Sequence, residues 1–166
     1  MRAILVAPSS TRPTLVRPSG RRWPSGTIGG VVWQTCRLRA EPDAVAPDGS
    51  AIRVLATLGG ASMVHCTLQP GQTTVAVRHR SVEELWYCLG GRGELWRAAG
   101  QDGAEEVVHL EPGMGASIPL GVRFQFRVTG TAPLELVIAT VPPWPGPDEA
   151  VAVDGRWPPA GVGSGG

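Results

Sequence analysis

From residue 51 to residue 141 the chain is a succession of short segments in which apolar and polar side chains alternate, each cut off by a turn. Alternation with a period of two fits strands half buried against a core, and no stretch shows the apolar spacing of an ordinary helix. AIRVLATL at 51–58 stops at Gly59 and Gly60, and ASMVHCTL at 61–68 stops at Pro70 and Gly71. TTVAVRH and EELWYCL follow, and Gly90, Gly91 and Gly93 allow a tight reversal into ELWRAA, because glycine accepts positive φ without steric cost. Beyond the polar loop AGQDGAEE come EVVHL, GASIPL, VRFQFRV and LELVIATV. Nine such segments without a helix predict an all-β single domain, an antiparallel sandwich or barrel.

The rest of the chain sets limits on function. At 166 residues it suits one core rather than two. A net charge of +1 with 17% charged residues leaves no basic face of the kind that dominates nucleic-acid binding, so nucleic acid is not an expected partner. No apolar run approaches the roughly 20 residues that a membrane-spanning helix needs, so no membrane partner is expected either. The start, MRAILVAPSS, has an apolar run too short for a secretory signal, and the expected location is the cytoplasm. Cys36, Cys66 and Cys88 lack metal-binding spacing and read as free thiols, the last two within strands.

Residues 1–36, rich in Arg, Pro, Ser and Gly without a sustained period, read as a disordered extension. The barrel is expected over residues 37–142. The prolines of 143–166 cannot continue a central strand, so this Trp-containing tail is expected to lie across the barrel, pinned by Trp144 and Trp157, with its last residues flexible.

Two motifs carry the chemistry. In the first, five residues separate Gly71 from Val77; His79 stands two positions further on, Glu84 follows after four residues and Gly91 after six. In the second, Gly113 is followed after five residues by Pro119, then by Gly121 and Phe124. This pattern resembles the paired motifs of the cupin superfamily over residues 51–142, and is similar to small single-domain cupins. The resemblance implies a jelly-roll or double-stranded β-helix barrel, commonly paired as a homodimer through sheet edges. It also implies metal-ligand positions at Val77, His79, Glu84 and Phe124, of which this chain keeps only His79 and Glu84. In similar small cupins a His often stands at the place of Arg123.

Strand alternation puts Val77 with His79 on one face, and Glu84 with Trp86 and Cys88. If that face is the barrel interior, His79 and Glu84 converge in a pocket walled by Trp86, Cys88, Phe124 and Phe126. Arg123 and Gln125 are further pocket candidates, Arg123 as a fork for a carboxylate or phosphate. His79 and Glu84 are the candidate catalytic residues and the candidate ligands of a divalent metal cofactor, although two protein ligands fall short of the usual three or four. The same pair also has a metal-free use, with the carboxylate orienting the imidazole for acid–base chemistry, and a third in which they merely hydrogen-bond. His65, alternating with Cys66 and Leu68, is expected outside if those two are core. The expected function is small-molecule binding in the barrel without metal; the alternative is a metal-dependent cupin enzyme of oxygenase, isomerase or cyclase type.

Overall fold

The computed structural model describes residues 27–28, 31–100 and 103–162. The expected disordered extension lies outside the described residues through residue 26 and at residues 29–30, as do the chain's final four residues. The described elements are β1 (Thr27–Ile28), β2 (Val31–Val32), β3 (Ala44–Val45), β4 (Ala51–Thr57), β5 (Ser62–Leu68), β6 (Val77–His79) and β7 (Glu83–Gly90). They continue with β8 (Gly93–Ala98), β9 (Glu105–Leu110), β10 (Gly115–Ile118), β11 (Arg123–Val128) and β12 (Leu134–Val141). A single 3-10 turn at Pro147–Glu149 leads into β13 (Ala150–Ala152). No helix among the described residues is long and apolar enough to cross a membrane.

All nine segments read from the alternation are strands, β4 through β12. They form two facing antiparallel sheets, ordered β10-β7-β12-β5-β4-β3 and β13-β6-β11-β8-β9, which is the jelly-roll arrangement. A separate hairpin joins β1 to β2. The glycines do the work that their spacing suggests. Gly91 has φ +76, and a Cβ there would stand 2.1 Å from the Pro133 carbonyl oxygen, so the turn between β7 and β8 accepts no other residue without moving.

Register decides what each strand buries. In the first sheet Leu136 pairs with both Cys66 and Cys88, Ile138 with Val64 and Trp86, and Thr140 with Ser62 and Glu84, so these rows share the inner face. From the second sheet Phe124 pairs with Val77, and Phe126 with Leu95, completing the interior. Trp86, Phe124, Phe126, Leu95, Leu134 and Leu136 are all buried in one cluster. Trp86 meets Phe124 and Phe126 edge-on, with centroids 5.7 and 5.0 Å apart, the geometry that aromatic quadrupoles favour.

Among the described residues, side-chain hydrogen bonds to the barrel start at Gln34, before the boundary at residue 37 read from composition. Its side-chain oxygen accepts from the Thr57 N–H at 3.1 Å, the Cys36 thiol donates to Leu55 O, and Asp43 accepts from the Val54 N–H. β3 covers β4 only at Ala51 and Ile52, so these side chains satisfy backbone groups that β4 leaves open further along.

His65 leaves β5 on the outer face, opposite Cys66 as the alternation predicts, yet it is covered there to 3% exposure. The outer face of β5 is not open here. Arg53 on β4 and Val137 on β12 flank His65 in register, and Thr67 Oγ1 lies 3.4 Å from its Nδ1.

Candidate functional site

Val77 and His79 both point inward from β6, and both are buried. Glu84, Trp86 and Cys88 point inward from β7, and Phe124 and Phe126 from β11. The structure therefore brings seven of the nine singled-out residues to one interior. Arg123 and Gln125 stand apart from them. They alternate with Phe124 and Phe126, so their side chains leave from the opposite face of the second sheet, in register with Ala98 and Trp96. A one-residue offset in a strand reverses the face, which is why adjacency in sequence misplaces both residues.

Gln125 is fully buried under the C-terminal tail. Its amide nitrogen donates to Thr74 O at 2.7 Å and Trp157 O at 2.8 Å, and its oxygen accepts from the Trp157 N–H at 2.9 Å. The side chain thus pairs with the tail as a strand would, while the Trp157 ring lies 4.3 Å from the Arg127 guanidinium. Gln125→Ala leaves buried polar groups unpaired and is expected to cost about 1–3 kcal/mol, read by urea unfolding. Protease cleavage within the tail should accelerate in the same variant, and an unchanged rate would show that Gln125 does not hold it.

His79 and Glu84 share the interior, yet no hydrogen bond joins them. Glu84 Oε2 accepts from the Trp86 indole N–H at 2.7 Å, a bond between neighbours on the same strand face. Burial raises the Glu84 carboxyl to about 7; the Trp86 bond opposes that rise, and Asp48 adds to it. Asp48 is itself buried and raised by desolvation, and its Oδ1 accepts from the Ser50 N–H and hydroxyl. The expectation that Glu84 orients the imidazole is corrected by this partner choice.

The carboxylate that acts on His79 is Glu149, from the 3-10 turn of the tail. Burial lowers the His79 pKa, and Glu149 only partly opposes it, so the imidazole is neutral near pH 7. Glu149 accepts from the Ser81 N–H at 2.6 Å, the Ser81 hydroxyl at 2.8 Å and the Val82 N–H at 2.8 Å, fixing the connection that separates His79 from Glu84. Burial pushes the Glu149 carboxyl up, but these hydrogen bonds, with His79, outweigh it and hold it below the usual carboxylate range. Phe124 and Trp144 meet the His79 ring edge-on at 5.1 and 5.2 Å, and the Trp144 N–H donates to Ser62 Oγ. His79 Nδ1 is buried without a hydrogen-bond partner.

Sequence reading missed Asp48 and Glu149, and gave Trp144 no place beside His79. Asp48 lies in a turn signal, and Glu149 follows a proline-rich stretch, so neither belongs to an alternating strand that would mark it as inward.

A metal does not fit this donor set. Val77 and Phe124, at the two remaining ligand positions, face each other directly across β6 and β11 as apolar side chains. Among the described residues no three His, Cys, Asp or Glu side chains cluster closely enough to hold an ion. One Glu84 oxygen is committed to Trp86, and His79 is flanked by aromatic edges. All three cysteines are free, with Cys66 and Cys88 buried.

The family model described as the cupin domain matches residues 64–140. The match marks residues 64–140 as a cupin domain, in agreement with the two-sheet jelly roll and the motif turns. Among solved structures, the BH2720 protein of Bacillus halodurans is 22% identical, with a TM-score of 0.54 over 62% of this chain and 75% of that one. Bacillus subtilis oxalate decarboxylase is 17% identical with a TM-score of 0.57, over 68% of this chain but only 29% of that one. Peruvianin-I, a cysteine peptidase from Thevetia peruviana latex, is 21% identical with a TM-score of 0.57, over 68% of this chain and 71% of that one. At such identities the likeness is one of fold, and these neighbours differ in activity. No curated protein matches the chain significantly.

Proposed function

We propose that this chain is a cupin that binds a small organic molecule at the His79 end of its barrel without using a metal. The observation that carries this reading is the unpartnered Nδ1 of His79, buried among Phe124, Trp144 and the Glu149 turn. A buried polar atom without a partner costs about 1–3 kcal/mol, so it marks a position where a bound group offers compensation. The neutral imidazole offers a ligand one N–H and one lone pair. Glu84, with its carboxyl raised to about 7, offers a donor or an acceptor near neutrality. Trp144, held by Ser62 rather than by a strand, is the side chain that a ligand displaces on entry.

The test is mass spectrometry of the native protein with elemental analysis after separate exposure to iron, manganese, nickel and zinc. The expected result is a co-purifying organic molecule, lost in His79→Ala, and no stoichiometric metal. About one metal per chain, lost in both His79→Ala and Glu84→Ala, would instead favour the metal-dependent enzyme reading. The double substitution Val77→His with Phe124→His should create metal binding where the parent has none, since both positions face His79 and Glu84 inside the barrel. A double variant that still binds no metal would show that the four positions do not converge.

A further inference from the structure

We infer that a cleft of about 250 Å³ at the β10 edge of the first sheet is a site for a small aliphatic amine, held by Glu84. Leu85, Ile118, Pro119 and Val141 give it apolar walls, Glu83 and Glu84 supply its charge, and no basic side chain lines it. Glu84 stands opposite Ile118 of β10 and Thr140 of β12, where the inner face of the sheet comes to its edge. Its Oε2 accepts from the Trp86 indole at 2.7 Å. Its Oε1 bonds to no described residue and is not sealed off, so it is the atom that the cleft reaches. Among the described residues no ion pair compensates Glu83 or Glu84. Arg97 approaches only through the Ser117 carbonyl, to which it donates at 2.6 Å, and Glu106 at 2.7 Å takes up its charge.

A buried carboxylate without a cation is costly, and a ligand that brings its own positive charge offsets that cost. Burial and Asp48 both disfavour the Glu84 carboxylate, and no cation figures among the influences on it. An ammonium group carries donors only, and its bond to Glu84 Oε1 is charge-assisted. Glu83 stands exposed beside it, its Oε1 3.3 Å from the Leu120 N–H, and adds negative potential at the opening. The same two carboxylates repel an organic acid. The walls are aliphatic with no aromatic face to hold a quaternary ammonium, so a primary amine suits them better. The volume falls just below the range of drug-sized ligands, which limits the body to a few carbons. The cleft shares Glu84 with the interior reading above but does not need His79, which does not line it and responds to Glu149 instead.

Amide chemical-shift titration by NMR at pH 8 with isopentylamine, isopentanol and isovalerate, which share one carbon skeleton, tests the assignment. Isopentylamine is expected to bind at least about tenfold more tightly than either of the others, with the shifts centred on Leu85, Ser117 and Ile118. Glu84→Gln, which keeps a carbonyl for the Trp86 indole, should weaken the amine at least about tenfold, to the level of the alcohol. Glu111→Gln, an equal charge change at an exposed position elsewhere, should not. His79→Ala should leave the amine affinity unchanged even as it removes a co-purifying molecule from the interior, which separates this site from the reading above. No saturable binding of the amine, equal binding of isovalerate or isopentanol, no effect of Glu84→Gln, equal weakening by Glu111→Gln, or loss of the amine in His79→Ala would each overturn the assignment.

Discussion

Glu84→Gln is expected to stabilise the protein by roughly 3 kcal/mol at pH 8 and to leave its stability unchanged at pH 4. The folded chain holds the Glu84 proton up to about 7, against an ordinary value of 4.5, because burial penalises the carboxylate more than the Trp86 bond rewards it. The folded state therefore binds more protons than the unfolded state between those two values. Stability from this group is full below 4.5, falls as pH rises to about 7, and stays low above it. Each pH unit of that window contributes about 1.4 kcal/mol. Glutamine mimics the protonated form at every pH, and its carbonyl still accepts from the Trp86 indole. His79, with its lowered pKa, works in the opposite direction, contributing stability that is lost as pH falls below 6.5. Glu149, also lowered, loses its contribution as pH falls below 4.5. Asp48, raised by burial, titrates in both proteins as well. Urea midpoints of parent and variant across pH 4 to 8 isolate Glu84, since the other groups cancel to first order. A difference independent of pH would show that Glu84 is not buried as a carboxyl.

Phe126→Ala is expected to cost about 3–5 kcal/mol, a large part of the roughly 5–15 kcal/mol that holds a domain together. Phe126 is 1% exposed, packs edge-on to Trp86 and stands opposite Leu95 across β11 and β8. Removing the ring deletes buried apolar area and leaves a cavity in the cluster between the two sheets. Thermal or urea unfolding gives the number directly. A loss under about 1 kcal/mol would mean that the interior collapses readily around the gap and is not tightly packed. Phe126→Leu retains most of the volume and should recover more than half of the loss.

The strands were legible because each carries its own signal. Glu84, Trp86 and Cys88 alternate with Glu83, Leu85 and Tyr87, and that period of two is what a sheet with one buried face requires. The motif glycines were legible for the same local reason, as Gly71, Gly91, Gly113 and Gly121 all adopt positive φ. All of the candidate site but Arg123 and Gln125 followed, since the inward-facing residues come from alternation plus register. Arg123 and Gln125 leave the interior because a strand sends sequence neighbours to opposite faces, so standing next to Phe124 and Phe126 in the chain does not place them beside those rings. Alternation puts His65 on the outer face, where the register has it, but does not tell whether neighbouring side chains cover that face.

The chain's alternation and turns by themselves determined an antiparallel β sandwich or barrel, and the motif spacing, through its resemblance to cupins, implied Val77, His79, Glu84 and Phe124 as the four motif positions. Only the tertiary structure decided who partners whom. Glu84 bonds Trp86 rather than His79, while Glu149 and Trp144, more than sixty residues further along the chain, surround the imidazole. The physical reason is that strand periodicity is a local property of the backbone. Desolvation and hydrogen bonding depend on which distant segments close over a side chain, and no spacing within the motif records that.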